Sequence, residues 1–182
     1  MDLRFTILGI LSWKPASGYD LKRMISDSEV FYWSGNNNQI YKSLVELHQE
    51  GLVSYQLQAG DSAPAKKIYT ITAAGAQALE HSLLAAPELP ELRKGFLIQL
   101  AWAEALSDAQ VLALLEQYEA ELANRLAMYR ALAARTGGWP ERSRRERFLW
   151  QSIAENLAAA CQTELEWARQ TRQALQEKQY LE

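Results

Sequence analysis

A single cysteine, Cys161, and two histidines, His48 and His81, are all that this 182-residue sequence offers a metal ion or a redox centre. One thiol forms no internal disulfide, and neither histidine stands in a metal-ligand spacing such as HExxH, so a disulfide scaffold, a zinc-cysteine site and a zinc hydrolase are excluded. Cys161 lies among alanines with no histidine beside it, which reads as a packing residue rather than a nucleophile. No glycine-rich loop follows a predicted strand, so the phosphate cradle of nucleotide-binding enzymes is missing, and no motif calls for a cofactor. An excess of positive charge is also missing. Nineteen Lys and Arg face 22 Asp and Glu, giving a net charge of −3 and a pI near 5.5, so any nucleic-acid contact must rest on local placement. The apolar run Phe5–Trp13 is too short to span a membrane and has no small-residue cleavage site, which leads us to expect a cytoplasmic protein.

What is present is a composition of 48% hydrophobic and 23% charged residues, that of a globular protein with a buried core. The sequence is organised around Trp33–Val53, WSGNNNQIYKSLVELHQEGLV. Its helix-breaking opening gives way to Ile40, Leu44 and Leu47 at helical spacing, with a stop at Gly51, so one short amphipathic helix is predicted whose apolar side belongs to the core. The other side and the N-terminal tip carry Asn37, Asn38, Gln39, Tyr41, Lys42 and Ser43, side chains suited to base edges and phosphates. Taken alone, such a face reads more readily as a solvated one.

Upstream, Leu3, Ile7, Ile10 and Leu11 predict a first helix ended by Lys14-Pro15. Ser17 with Asp20 three positions on forms a capping box that opens a second helix through Leu21 and Ile25. Downstream of Gly51 the period changes to two. Val53, Tyr55 and Leu57 alternate with polar residues, the stretch Ala59–Pro64 is turn-rich, and Lys66–Thr72 alternates again, predicting a β-hairpin with a long tip. A further helix starts near Thr72 and ends by Pro87. Helix, helix, helix, strand, strand, helix is the order of a winged helix-turn-helix, assigned to residues 1–86. From residue 87 to 182 the composition turns to Ala, Leu, Glu, Gln and Arg, predicting an all-α region with helices over about 91–105, from Ser107 to about Arg135, and from Ser143 nearly to the end. Ser107 with Gln110 and Ser143 with Glu146 form further capping boxes. The fold class is thus mainly α, with an α+β winged helix-turn-helix followed by a helical region.

Three segments together, ILGILSWKPASGYDLKR, QIYKSLVELHQEGLV and KKIYTITAAGAQAL, resemble the PadR-like transcriptional regulators. The resemblance spans the first half of the chain, and the second half is similar in character to the helical dimerisation region of that family. It implies a homodimeric DNA-binding regulator, a repressor in our reading, that senses a small aromatic or hydrophobic molecule. Two positions depart from the family pattern: a triple asparagine precedes Gln39, and His48 stands where an acidic residue is common.

On this reading the tip of the third helix enters the major groove, where asparagine and glutamine can pair with adenine. Tyr41 matches the tyrosine of the family's IY dipeptide, placing its hydroxyl on a phosphate; a half-buried core tyrosine is the other reading. Lys66 and Lys67 on the wing would neutralise phosphates, or simply be solvated. Tyr19, Lys22 and Arg23 could brace the DNA backbone. The first 80 residues are close to neutral, so two half-sites must act together, and a two-fold dimer predicts a pseudo-palindromic operator. The stripe Leu149, Ile153, Leu157, Cys161, Leu165 and Ala168 on the last helix is the expected dimer face. Phe96, Gln99, Trp102 and Trp150 are candidate effector contacts, although each ring taken singly reads as core. The cluster Arg142, Arg144, Arg145 and Arg147 reads either as surface arginines at a helix start or as a second contact for an acidic partner. A ligand-binding or protein-interaction module that does not bind DNA stays open as the alternative.

Overall fold

The structure, a computed structural model, describes residues 3–28, 38–58, 65–87, 89, 94–134, 140 and 142–181. The chain separates into two compact units, Met1–Pro90 and Glu91–Glu182. The first contains α1 (Leu3–Trp13), β1 (Ala16–Ser17), α2 (Gly18–Ser26), α3 (Asn38–Gln49), β2 (Val53–Gln58), β3 (Lys66–Ile71) and α4 (Ala73–Leu83). The second contains α5 (Gly95–Ala101), α6 (Asp108–Ala133) and α7 (Arg144–Gln176). The helix predicted over about 91–105 is therefore shorter, closing in a separate 3-10 turn at Ala103–Ala105. No helix among the described residues is long and apolar enough to cross a membrane.

The N-terminal core joins Ile7, Leu11, Leu21, Ile25, Ile40, Leu44, Leu47, Val53 and Tyr69 from every layer of the unit. Helix α1 packs against α3, α4 and β3. The capping box of α2 forms in full: Ser17 Oγ accepts from the Asp20 amide at 3.1 Å, and Asp20 Oδ2 accepts from the Ser17 amide at 3.1 Å. The sheet is antiparallel with order β1-β3-β2. Its first strand was not predicted. Two residues show no period of their own, and only the pairing of Ala16 with Tyr69 and Ser17 with Ile68 makes them a strand. Gly51, at φ +73°, lets α3 stop and turn directly into β2.

In the second unit α6 and α7 run antiparallel. Tyr118 donates to Glu164 near the middle and Tyr180 donates to Asp108 at one end, while Arg130 donates to Gln162 toward the other. Each helix buries four residues at one spacing: Leu115, Leu122, Leu126 and Tyr129 on α6, and Ala154, Cys161, Leu165 and Ala168 on α7. The repeat of seven, four and three is that of a coiled-coil seam, in which the small residues of α7 accept the bulkier ones of α6. Part of the stripe expected at the dimer face is engaged within the chain. Cys161, Leu165 and Ala168 are buried against α6 of the same chain, with the Cys161 thiol donating to the Leu122 carbonyl at 3.4 Å, and Leu157 packs at the edge of the same cluster. A helix with an apolar stripe of this length finds its first partner in the helix that precedes it in the chain.

Beside that seam Glu164 accepts from both Lys94 and the Tyr118 hydroxyl, the latter at 2.9 Å. Burial and the bond to Glu164 push the Tyr118 phenol up from 10 to about 12. The fold therefore favours the neutral phenol, and that contribution is intact below pH 10 and is lost as pH rises from 10 toward about 12. Tyr118→Phe is expected to cost about 1 kcal/mol at neutral pH. It should also reduce the loss of helix stability in that alkaline window, as followed by circular dichroism in urea; a variant with unchanged alkaline dependence would contradict this.

Candidate nucleic-acid interface

The amphipathic turn of α3 divides its residues as helical geometry requires. Ile40, Ser43, Leu44 and Leu47 recur at three- and four-residue steps and are buried, while Asn38, Gln39 and Lys42 are exposed. Ser43 was expected at the DNA-facing tip and is instead 8% exposed on the core side. Its place is set by the helical period, which outweighs the polarity of a small hydroxyl. Asn37 lies outside the described residues. Lys42 stands 3.8 Å from Glu46 one turn on, an exposed pair too weak to hold it from a phosphate.

Tyr41 is neither wholly core nor free. A Cβ placed on Gly18 would come within 2.6 Å of Tyr41 Cε1, so the phenol ring lies over the first residue of α2 while the residue stays 48% exposed. The glycine at the start of α2 thus provides the seat for this ring. Tyr19 on the same helix is exposed, Lys22 is half-buried, and Arg23 pairs with Asp27 at 3.6 Å. Helices α2 and α3 are in contact, so their exposed residues belong to one surface region.

The wing separates its two lysines. Alternation along β3 sends Lys66 and Lys67 to opposite faces of the sheet. Lys66 lies within electrostatic reach of Asp20, whose carboxyl is held below the usual carboxylate range chiefly by the Ser17 hydroxyl, with a smaller contribution from Lys66. Lys67 places its ammonium 4.3 Å from the centre of the Tyr55 ring and remains exposed. Tyr55 packs on Tyr69 with ring centres 5.6 Å apart, and on its other neighbour, His48, at 4.8 Å. The tip of the hairpin, residues 59–64, lies outside the described residues.

Residues 7–81 match the model of the "Transcriptional regulator PadR-like family", and residues 92–176 match that of the "Virulence activator alpha C-term" family. Residues 7–81 thus carry the domain of the PadR-like transcriptional regulators. It is 29% identical over 137 residues to the negative transcriptional regulator PadR of Bacillus subtilis, covering 72% of this chain and 75% of that protein. Its fold is similar to that of B. subtilis PadR crystallised with operator DNA, with a TM-score of 0.79 at 22% identity over 95% of this chain and 98% of the other. The virulence activator AphA of Vibrio cholerae also shares it, with a TM-score of 0.70 at 24% identity over 97% and 99%. In this PadR-like chain the winged helix-turn-helix is carried by the first match, and the α5–α7 region by the second.

The expected effector residues are dispersed in their environments. Phe96 stacks on Tyr118 with ring centres 3.9 Å apart and planes at 15°, and Trp150 is half-buried on α7. Gln99 is exposed, and Trp102 is 79% exposed at the turn that ends α5, so among the described residues Trp102 lines no enclosed pocket. Sequence reasoning missed Lys94 and Glu164 as a linked pair, because residues 70 positions apart carry no common period.

The arginine cluster at the start of α7 is partly explained. Ser143 caps the helix, but the Glu146 carboxylate turns to Arg142, accepting from its backbone amide at 2.8 Å and from its guanidinium. That carboxylate is held below its usual range by Arg142, and it offsets the cost of placing cations at a helix N-terminus. Arg144 and Arg145 are exposed.

Proposed function

We propose that this PadR-like regulator is a cytoplasmic repressor that binds a pseudo-palindromic operator as a homodimer and is released by a small aromatic or hydrophobic effector. The observation that carries this reading is the exposed polar start of α3, Asn38, Gln39 and Lys42, on the same compact unit as an exposed wing lysine, Lys67. The tip of α3 reads bases, Tyr41 and Tyr19 meet the flanking backbone, and Lys22 supports it through charge. Lys67 supplies the wing contact. Lys66 contributes less, because Asp20 already offsets its charge. B. subtilis PadR has been crystallised with operator DNA and with p-coumaric acid, and its negative regulation supports the repressor sign.

The dimer face we assign is the exposed side of α7 near its start. Phe148 is 65% exposed, Leu149 48% and Ile153 39%, and together they form an apolar stripe separate from the seam with α6. A two-fold dimer that binds a pseudo-palindromic operator requires its two α3 helices to meet successive major grooves, about 34–36 Å apart. For the effector, Phe96 on Tyr118 with Lys94 nearby joins an aromatic surface to a cation, the chemistry that receives an aromatic acid.

Fluorescence anisotropy on the DNA upstream of the gene, with a salt titration, tests the central reading. Affinity should fall linearly with salt on logarithmic axes, and Lys67→Ala should flatten that slope more than Lys66→Ala does. Absent or salt-insensitive binding would sink it and leave a protein-contact module.

A further inference from the structure

The departure of His48 from the family pattern has a structural counterpart. The residue occupies the last turn of α3, and its Nδ1–H donates to the Val53 carbonyl at 3.0 Å. Its ring stands 4.8 Å from that of Tyr55 at 59°, Tyr55 stands 5.6 Å from Tyr69 at 54°, and the Lys67 ammonium sits over Tyr55. One file of rings therefore runs from the end of the DNA-reading helix, through β2, to β3 and the exposed cation of the wing. Tyr55 and Tyr69 are direct cross-strand partners, so the file is fixed to the register of the hairpin.

We propose that His48 is a positioning residue: it holds Tyr55 as a platform on which Lys67 is presented to a DNA phosphate at a set distance from α3. The inference rests on the DNA-binding reading above and assigns to this chain's own histidine a part in it. A lysine ammonium on four rotatable bonds loses entropy when a phosphate captures it, and a ring beneath it removes some of that freedom beforehand. Lys66, on the opposite face and beside Asp20, does not share the platform. The His48 ring matters here for its tilted edge contact with Tyr55, which a phenyl ring can also make.

The test uses the full chain and one operator fragment, with anisotropy titrations between about 50 and 200 mM salt, the span over which phosphate contacts change affinity most visibly. His48→Ala and Lys67→Ala should each reduce the salt slope by about 0.9 per protomer, or about 1.8 for a dimer. The ratio of wild-type to variant affinity then grows about twelvefold on going from the higher salt to the lower. The double variant should lose no more than either single one, since both remove one contact. His48→Phe keeps a ring on Tyr55 and should restore the slope, which a general loss of stability would not allow. Should His48→Ala prove unfolded by circular dichroism, His48→Gln, which has no ring, takes its place with the same expectation. A wild-type slope in His48→Ala, additive losses in the double variant, or no rescue by phenylalanine would overturn the role of His48 while leaving DNA binding intact. Failure of the wild-type protein to bind with any salt dependence would overturn both.

Discussion

Replacing Phe148 and Ile153 together by glutamate is expected to give a folded monomer whose operator affinity is lower by about 10² to 10⁴, the range by which linking two binding events raises avidity. Both side chains are exposed on α7, away from the face on which Cys161, Leu165 and Ala168 meet α6. Carboxylates there remain solvated in the monomer and leave the hairpin seam untouched. In a two-fold dimer the same four carboxylates would be brought together in an apolar contact, where like charges repel and lose water. Sedimentation should show one species of monomer mass, and affinity for a half-site fragment should match that of the wild type. A variant that remains dimeric, or a monomer with undiminished affinity for the full operator, would refute the assignment. Deleting residues 143–182 is a poorer experiment. It removes α7 altogether and exposes Leu122, Leu126 and Tyr129 of α6, so a loss of binding could follow from a collapsed helical unit alone.

The second large effect is on stability. Gly75→Ala, a change that in an ordinary helix gains roughly 0.5–1 kcal/mol, is expected here to destabilise the N-terminal unit by about 3 kcal/mol or more, at the upper end of overpacking costs. A Cβ on Gly75 would stand 2.0 Å from the Leu52 carbonyl oxygen and 2.9 Å from Ile71 Cγ1. That oxygen cannot easily withdraw, because it accepts from the Thr72 amide and from the Thr72 hydroxyl, both at 3.1 Å. The same hydroxyl accepts from the Gly75 amide at 3.0 Å to cap α4. Relief would require α4 to move off the turn between α3 and β2, away from α1 against which it packs. Urea unfolding should show a markedly lower midpoint, and a midpoint equal to or above that of the wild type would contradict the argument.

Much of this architecture was legible because periodicity and capping are local. The apolar steps Ile40, Leu44 and Leu47 place α3, the alternation after Gly51 places the wing, and Ser17 with Asp20 and Ser107 with Gln110 cap their helices reciprocally as expected. Ser143 with Glu146 was legible only by half, since the carboxylate turns to Arg142. Residues assigned by polarity fared less evenly. Ser43 lies on the inward side of α3, and Lys66 and Lys67 separate to faces with different neighbours.

The sequence by itself determined the order of elements apart from β1, the core side of α1, α2 and α3 and, through three spaced segments, the likeness to the PadR-like regulators. Those properties follow from neighbours one helical turn or two strand positions apart, which any stretch of chain carries within it. Tertiary structure alone decided which stripe of α7 is consumed by α6 and which is left exposed, why Gly75 cannot carry a side chain, and how His48 reaches Lys67 through Tyr55. These depend on contacts between residues far apart in the chain, whose pairing is fixed only when the elements pack, and a one-dimensional pattern holds no record of that.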